Sequence, residues 1–391
     1  MGSQKNRIDA LDNLRAILAL IGIPFHAAFF LMLAIAQSRH IFFRLINGNV
    51  LIHISKQYHY FFLLIFYVHT FRMPAFFLLA GFFAHLLYSS RGTKRLLKNR
   101  FLRIGLPFLF YFIWIMPLYL AQLWAMSLQQ GKSFDSVFHV SYQNGVLWSY
   151  VDNLDNYWFL YYLLIFYAML LLFLFAQYYR WIPVVFSQKI GIFFEKILFP
   201  PFIYVVLPVL FALIFIKAQF WYVVLDERLL PSIYLILLYG VWFLMGWFLW
   251  VHKNAFVSYM HFAWQKIVLS FLCYLTYLYF YVHFLNAHNT IMYVCAVFLY
   301  TISMTLGVLG VLGFAWHYFS RFNRVLKYFS KASYWIYLTQ VPIVFFLVQL
   351  MRALTHSFYL QFFSATILCG LICTLSYHFL IRKTRLQSIV G

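Results

Sequence analysis

Residues 11–30 read LDNLRAILALIGIPFHAAFF. The stretch is apolar almost throughout, yet it carries Arg15 near one end and His26 toward the other. A run of this length and apolarity predicts a helix that crosses a bilayer, because lipid offers backbone N–H and C=O groups no partner and a helix satisfies them internally. At 1.5 Å per residue, the eleven residues between the two groups separate them by about 16 Å along the axis. Eleven residues are also close to three turns, so both side chains leave nearly the same face. Pro24 frees the carbonyl of Leu20 just before His26.

The rest of the chain extends this pattern. Of 391 residues, 65% are apolar and 9% charged, where a soluble chain would hold about a quarter charged. The predicted class is an all-α polytopic membrane protein of about ten transmembrane helices, near 11–36, 60–88, 104–129, 157–179, 201–220, 230–251, 266–285, 290–318, 333–354 and 358–381. A single transmembrane domain over 1–391 is expected. Neither a separate soluble domain, an internal repeat nor a low-complexity tract is legible. The start, MGSQKNRIDALDN, is polar and precedes a run too long for a signal-peptide core, so no cleavable signal is expected. It lacks the Ser or Thr at position 6 that an N-myristoylation start requires. Cys369 and Cys373 are one helical turn apart, read as core residues rather than a metal or redox motif.

The formal charge of +21 is topogenic. With the N-terminus inside, the inside segments hold 20 of the 29 basic residues and the outside loops 7, while Arg15 and Arg72 fall in spans. Five of the eight acids (Asp135, Asp152, Asp155, Asp226 and Glu227) fall outside. Both termini are therefore expected in the cytoplasm. Nucleic-acid binding is excluded by the absence of one contiguous basic module.

The chemistry-bearing candidates are the polar groups inside apolar runs. His26 lies beyond the midplane of the first span, where an ionisable group usually faces a cavity or a partner. Arg15 reads either as a snorkelling arginine paired with Asp12 or as a functional cation. The second span contains HTFRMPAFFLLAGFFAHLL, 69–87. Counted from Tyr60, Arg72 lies about 18 Å into that span, near the midplane, with His69 one turn away. His26, His69 and Arg72 can thus share one zone, whereas His85 reads as interfacial. RGTKRLLKNRFLRIGLPFL follows, and Arg100 with Arg103 places two guanidiniums one turn apart, a fork suited to phosphates. The alternative for this cluster is ordinary positive-inside charge. Tyr157 and Trp158 at the mouth of the fourth span read as a belt anchor or as a stacking platform for a sugar, with Asp152 and Asp155 as hydroxyl acceptors.

Together these stretches resemble the acyltransferase 3 family of integral membrane acyltransferases, most of all its branch that succinylates osmoregulated periplasmic glucans. The resemblance rests on LDNLRAILALIGIPFH, HTFRMPAFFLLAGFF, RFLRIGLPFL, YWFL and ASYWIYLTQVPI, in the family's order across most of the chain. The sequence departs from that branch at Gln340 and Val341, and at Asn156, where histidines are expected. The resemblance implies transfer of an acyl group, succinyl or acetyl, from cytoplasmic acyl-CoA to a hydroxyl of an extracytoplasmic glycan, in a bacterial inner membrane. Acyl-CoA is then a donor substrate, and no bound cofactor or metal is expected. The catalytic residues would be His26 as general base and Arg72 as oxyanion stabiliser or orienting group. The donor would be held by Arg15, Arg100 and Arg103, and the acceptor pocket would draw on His69, Asn156, Tyr157, Trp158 and Gln340. Direct transfer and a covalent acyl intermediate are both open. The competing readings are a transporter using an intramembrane Arg/His path, which lacks an inverted repeat and a carboxylate in a span core, and a scaffold, which leaves the burial of His26 and Arg72 uncompensated.

Overall fold

Every regular element in the computed structural model is helical among the residues it describes. Those are 2–38, 56–110, 113, 132–143, 154, 157–181, 183, 189, 191–196, 201–223, 229–251, 261–284, 289–320 and 323–387. In chain order the helices are α1 (Gly2–Ser38), α2 (Lys56–Arg100), α3 (Phe134–Gln143), α4 (Trp158–Tyr178), α5 (Phe202–Ala218), α6 (Ile233–Val251), α7 (Ala263–Phe284), α8 (Thr290–Phe319), α9 (Arg324–Leu354) and α10 (Phe358–Ser376). Among the described residues, eight helical stretches are long and apolar enough to cross a membrane, so the chain is an all-α polytopic membrane protein.

The eight fall on eight of the ten expected spans. The expected third span, 104–129, lies mostly outside the described residues. The expected fifth is α5, at 17 residues a shorter apolar helix, closed by Gln219 in the left-handed conformation (φ 56°). Two boundaries move for identifiable reasons. Helix α9 starts well before the expected 333, because the side chain of Asn323 accepts hydrogen bonds from the N–H groups of Val325 and Leu326 (2.9 and 3.2 Å) and caps it there. Helix α2 continues through the basic stretch after residue 88, broken only at Gly92 (φ 73°, ψ 173°), a conformation open to glycine and strained for other residues.

Two compact units divide the chain. One comprises Met1–Phe83, Gln188–Val223 and Val241–Gly391; the other comprises Ala84–Ser187 and Val224–Gly240. In the first unit α1 packs on α8, α9 and α10, α7 pairs with α8, and α5 lies on α8. Apolar burial drives no helix pairing inside lipid, so close backbone approach and interhelical hydrogen bonds do that work. Ser270 Oγ donates to the Ser303 carbonyl at 2.7 Å, and Ser303 Oγ returns a bond to the Ser270 carbonyl at 2.8 Å. Helices α2 and α6 cross at reciprocal glycines: a side chain on Gly81 would strike the Phe243 carbonyl, and one on Gly246 would strike that of Leu78. Cys369 and Cys373 are buried in α10 with their sulfurs 3.8 Å apart, as core residues.

In the second unit a π-turn, Phe101–Gly105, continues from α2 and packs against α4. The ring of Phe108 stacks on Tyr161 at 5.7 Å, and the Tyr161 hydroxyl donates to the Leu229 carbonyl at 2.8 Å. Gly240 makes room for Phe166.

The glycine crossing makes a test. Overpacking a close contact costs on the order of 1–3 kcal/mol, so Gly246→Val should lower the apparent melting temperature in detergent by several degrees. Gly191→Val, at a position with open space around it, should leave it unchanged. A Gly246→Val melting curve superimposed on that of the wild type would mean that the two backbones can part freely.

Candidate active site

Three helices of the first unit bring the intramembrane polar groups together: α1 with Gly22, Phe25 and His26, α2 with His69 and Arg72, and α9 with Gln340. Gly22 is what lets them meet. A methyl built on it would lie 3.2 Å from both Nε2 and Oε1 of Gln340, and closer still to Nη1 of Arg72. A bare helix surface at this position admits a guanidinium and an amide that any larger residue would displace. His26 follows one turn later on α1.

Phe25 organises the cluster. Its ring stacks on that of His69 at 4.6 Å with 10° between the planes, and meets His26 edge-on at 5.4 Å and 75°. The Arg72 guanidinium carbon lies 4.8 Å from the centre of the same ring. A cation over an aromatic face contributes about 2 kcal/mol when desolvated, which offsets part of the cost of placing Arg72 there. Phe66 meets Phe25 edge to face at 5.7 Å.

Arg72, His69 and Gln340 are 5%, 5% and 1% exposed. Both ring nitrogens of His69, Nδ1 of His26 and Oε1 of Gln340 are buried without a hydrogen-bond partner among the described residues. Leaving a buried polar group unpaired costs on the order of 1–3 kcal/mol. Four such atoms in one small zone therefore mark a place where a polar ligand would recover energy that the protein alone does not.

A proline stands two residues from one polar group on each of the three helices: Pro24 beside His26, Pro74 beside Arg72, and Pro342 beside Gln340. Each removes one backbone hydrogen bond and frees the carbonyl four residues earlier. On the other face of α9, Cys369 Sγ of α10 lies 3.6 Å from the Gln340 carbonyl.

Arg15 sits three turns before His26 on α1. It pairs with Asp12 at 3.3 Å, donates to the Ser330 carbonyl at 3.2 Å, and lies 5.5 Å from the Phe83 ring. The pairing with Asp12 read from the sequence is thus present, and Arg15 also ties α1 to the start of α9.

The remaining candidates belong to the second unit. Arg100 closes α2, half-buried, with its guanidinium carbon 5.0 Å from the Tyr167 ring. Arg103 lies within the π-turn, also half-buried. The sequence led us to expect an α-helical pair one turn apart. The π-turn rotates less per residue, so the two arginines start from directions further apart than an α-helix would set them. Trp158 is buried, tilted against Tyr239 at 5.6 Å and edge-on to Tyr162 at 5.8 Å, and Tyr157 is half-buried beside it. Trp158 is thus a packed residue rather than an open stacking face. Asn156, Asp152 and Asp155 lie outside the described residues.

A family model described as an acyltransferase domain, the acyltransferase 3 family, matches residues 8–377. The chain belongs to this family. Similar curated proteins include glucans biosynthesis protein C of Salmonella paratyphi B and of Salmonella heidelberg, each 33% identical over 101 residues. That alignment covers 25% of this chain and 22% of each relative. No solved structure matches the chain. The cluster around Gly22, inside the matched residues, is the candidate active site of this family member.

Sequence reasoning had named His26, His69, Arg72 and Gln340 but missed Gly22 and Phe25. The recurrence of proline two residues from each polar group was the readable signal for the zone. Gly22→Ala should preserve the folded protein, because only the flexible ends of Arg72 and Gln340 have to shift. A displacement of about 1 Å at a reacting centre can lower a rate about 100-fold, so acyl transfer by Gly22→Ala should fall at least tenfold. Wild-type turnover in this variant, measured on purified protein in lipid, would show that the close approach at Gly22 has no part in the chemistry.

Proposed function

We propose that the protein is an O-acyltransferase that moves an acyl group, succinyl or acetyl, from cytoplasmic acyl-CoA to a hydroxyl of an extracytoplasmic glycan, with His26 as general base. One observation carries the reading: in a chain of an acyltransferase family, a base, a guanidinium and an amide converge around Gly22 inside the spans, with hydrogen-bonding capacity unfilled. A hydroxyl attacking a thioester needs its proton removed and the developing carbonyl charge stabilised. His26 would take the proton and Arg72 would face the oxyanion, both groups resting against Phe25.

A glucan acceptor is supported by the name of the Salmonella relatives, and a bacterial inner membrane by the same resemblance. Cytoplasmic termini follow from the basic residues concentrated in the inside segments. Donor binding would fall to Arg15, Arg100 and Arg103, whose charges suit the phosphates of CoA. The acceptor would draw on Tyr157 and Asn156, with Trp158, packed against Tyr162 and Tyr239, in a supporting role rather than as a stacking face. Gln340, beside Arg72, could contact either the acyl group or the acceptor. A succinyl group would bring a distal carboxylate, for which Arg72 offers a cation; acetyl needs only space.

The deciding measurement is thiol release from acetyl-CoA and from succinyl-CoA by purified protein in lipid, with a glucan acceptor. Wild type should release thiol with one of the two donors, and His26→Ala should abolish the release while its folded yield stays unchanged. Turnover by His26→Ala at the wild-type rate would remove His26 from the base role. Replacing Arg100 and Arg103 together with alanine should instead raise the donor KM about tenfold or more, as expected when charge-assisted phosphate contacts of roughly 1.5–3 kcal/mol are lost. An unchanged donor KM would remove both arginines from donor binding.

A further inference from the structure

His69 has no task in the reaction as just described, yet its setting is the most demanding in the cluster. It is buried, its ring is clamped flat against Phe25, and neither nitrogen finds a partner among the described residues. Packing alone does not return the cost of two buried polar atoms left unpaired, on the order of 1–3 kcal/mol each. His69 also lies one turn from Arg72 on α2, and the two flank the same Phe25 ring. The charged and titratable groups facing it are Arg72 and His26.

We infer that His69 is a catalytic residue, donating a hydrogen bond from a ring N–H to the carbonyl oxygen of the bound thioester, alongside Arg72. The inference rests on the acyl-CoA reading above. An imidazole carries an N–H in either protonation state, so it serves as a donor without having to hold a charge next to Arg72. Stacking on Phe25 fixes the plane of the ring, so the donor is aimed before substrate arrives and needs no reorganisation during the reaction. A thioester carbonyl would take the N–H of one of the two unpartnered ring nitrogens.

The step balances as follows. The acceptor hydroxyl oxygen attacks the carbonyl carbon and forms the new C–O bond, while its proton passes to His26. The carbonyl π pair moves onto oxygen, where the His69 N–H and the Arg72 guanidinium hold it. Collapse of this intermediate breaks the C–S bond, the electron pair leaves on sulfur, and His26 returns the proton to the thiolate. His69 ends as it began, with no net proton transferred.

The test is isotope-edited infrared spectroscopy of acetyl-CoA and succinyl-CoA, each labelled with carbon-13 at the thioester carbonyl and bound to purified protein in lipid without acceptor. The wild type should lower the carbonyl stretch below its solution value, and His26→Ala should lower it equally. His69→Phe, which keeps the stack on Phe25 but has no N–H, should lose at least half of the shift, and His69→Gln, which restores a donor, should regain part of it. In parallel, kcat of His69→Phe should fall about 10²- to 10³-fold with little change in donor KM. His69→Leu carries the same comparison if the phenylalanine variant does not fold. An undiminished shift in both variants that lack an N–H overturns the inference, as does a thioester bound to wild type with an unshifted carbonyl; either result leaves the acyl-CoA reading standing. If wild type binds neither thioester, the donor assignment itself is wrong and the role of His69 falls with it.

Discussion

The contact between the Arg72 guanidinium and the face of Phe25 is the interaction on which the rest of the site depends. A guanidinium within a membrane-spanning helix is expensive unless something replaces the water it has lost. Here the aromatic face takes one side of it, and the gap left by Gly22 on α1 admits its nitrogens beside the Gln340 amide. The same ring that holds Arg72 also sets the plane of His69 and touches the edge of His26. One phenylalanine therefore couples the cation to both imidazoles, and the orientation of each polar group follows from where that ring stands.

Holding three helices this close calls for small residues and interhelical hydrogen bonds, since lipid offers no water-driven association. The structure uses both. Gly81 and Gly246 bring the backbones of α2 and α6 together, and the Ser270–Ser303 exchange fastens α7 to α8. The Tyr67 hydroxyl reaches from α2 to Ser270 at 3.1 Å, two residues before His69. Thus the helix that carries His69 and Arg72 is anchored on one side by a glycine crossing and on another by a hydroxyl. Such support holds in place a site with four buried polar atoms that find no hydrogen-bond partner among the described residues.

Much of this was legible residue by residue. Arg15, His26, His69 and Arg72 stood out because ionisable groups are rare in apolar runs, and the helical period alone placed Arg15 and His26 on one face. Gln340 enters the expected acceptor pocket only through resemblance, and its meeting with Arg72 is seen only in the structure, since a glutamine in an apolar helix does not announce which neighbour it faces. Gly22 and Phe25 carried no signal of their own, being ordinary residues of a membrane helix. The π-turn that carries Arg103 was not legible, because a single inserted register shift leaves no mark on composition.

The sequence by itself determined the class of protein and the position of nearly every described helix, because hydropathy, length and capping act over a few turns. It also marked the ionisable groups that a span must accommodate. Only the tertiary structure decided which of these groups share a site, because contact between α1, α2 and α9 depends on how helices distant in the chain cross. That crossing gave Gly22 and Phe25 their roles, for a gap and an aromatic face acquire meaning only from what is packed against them.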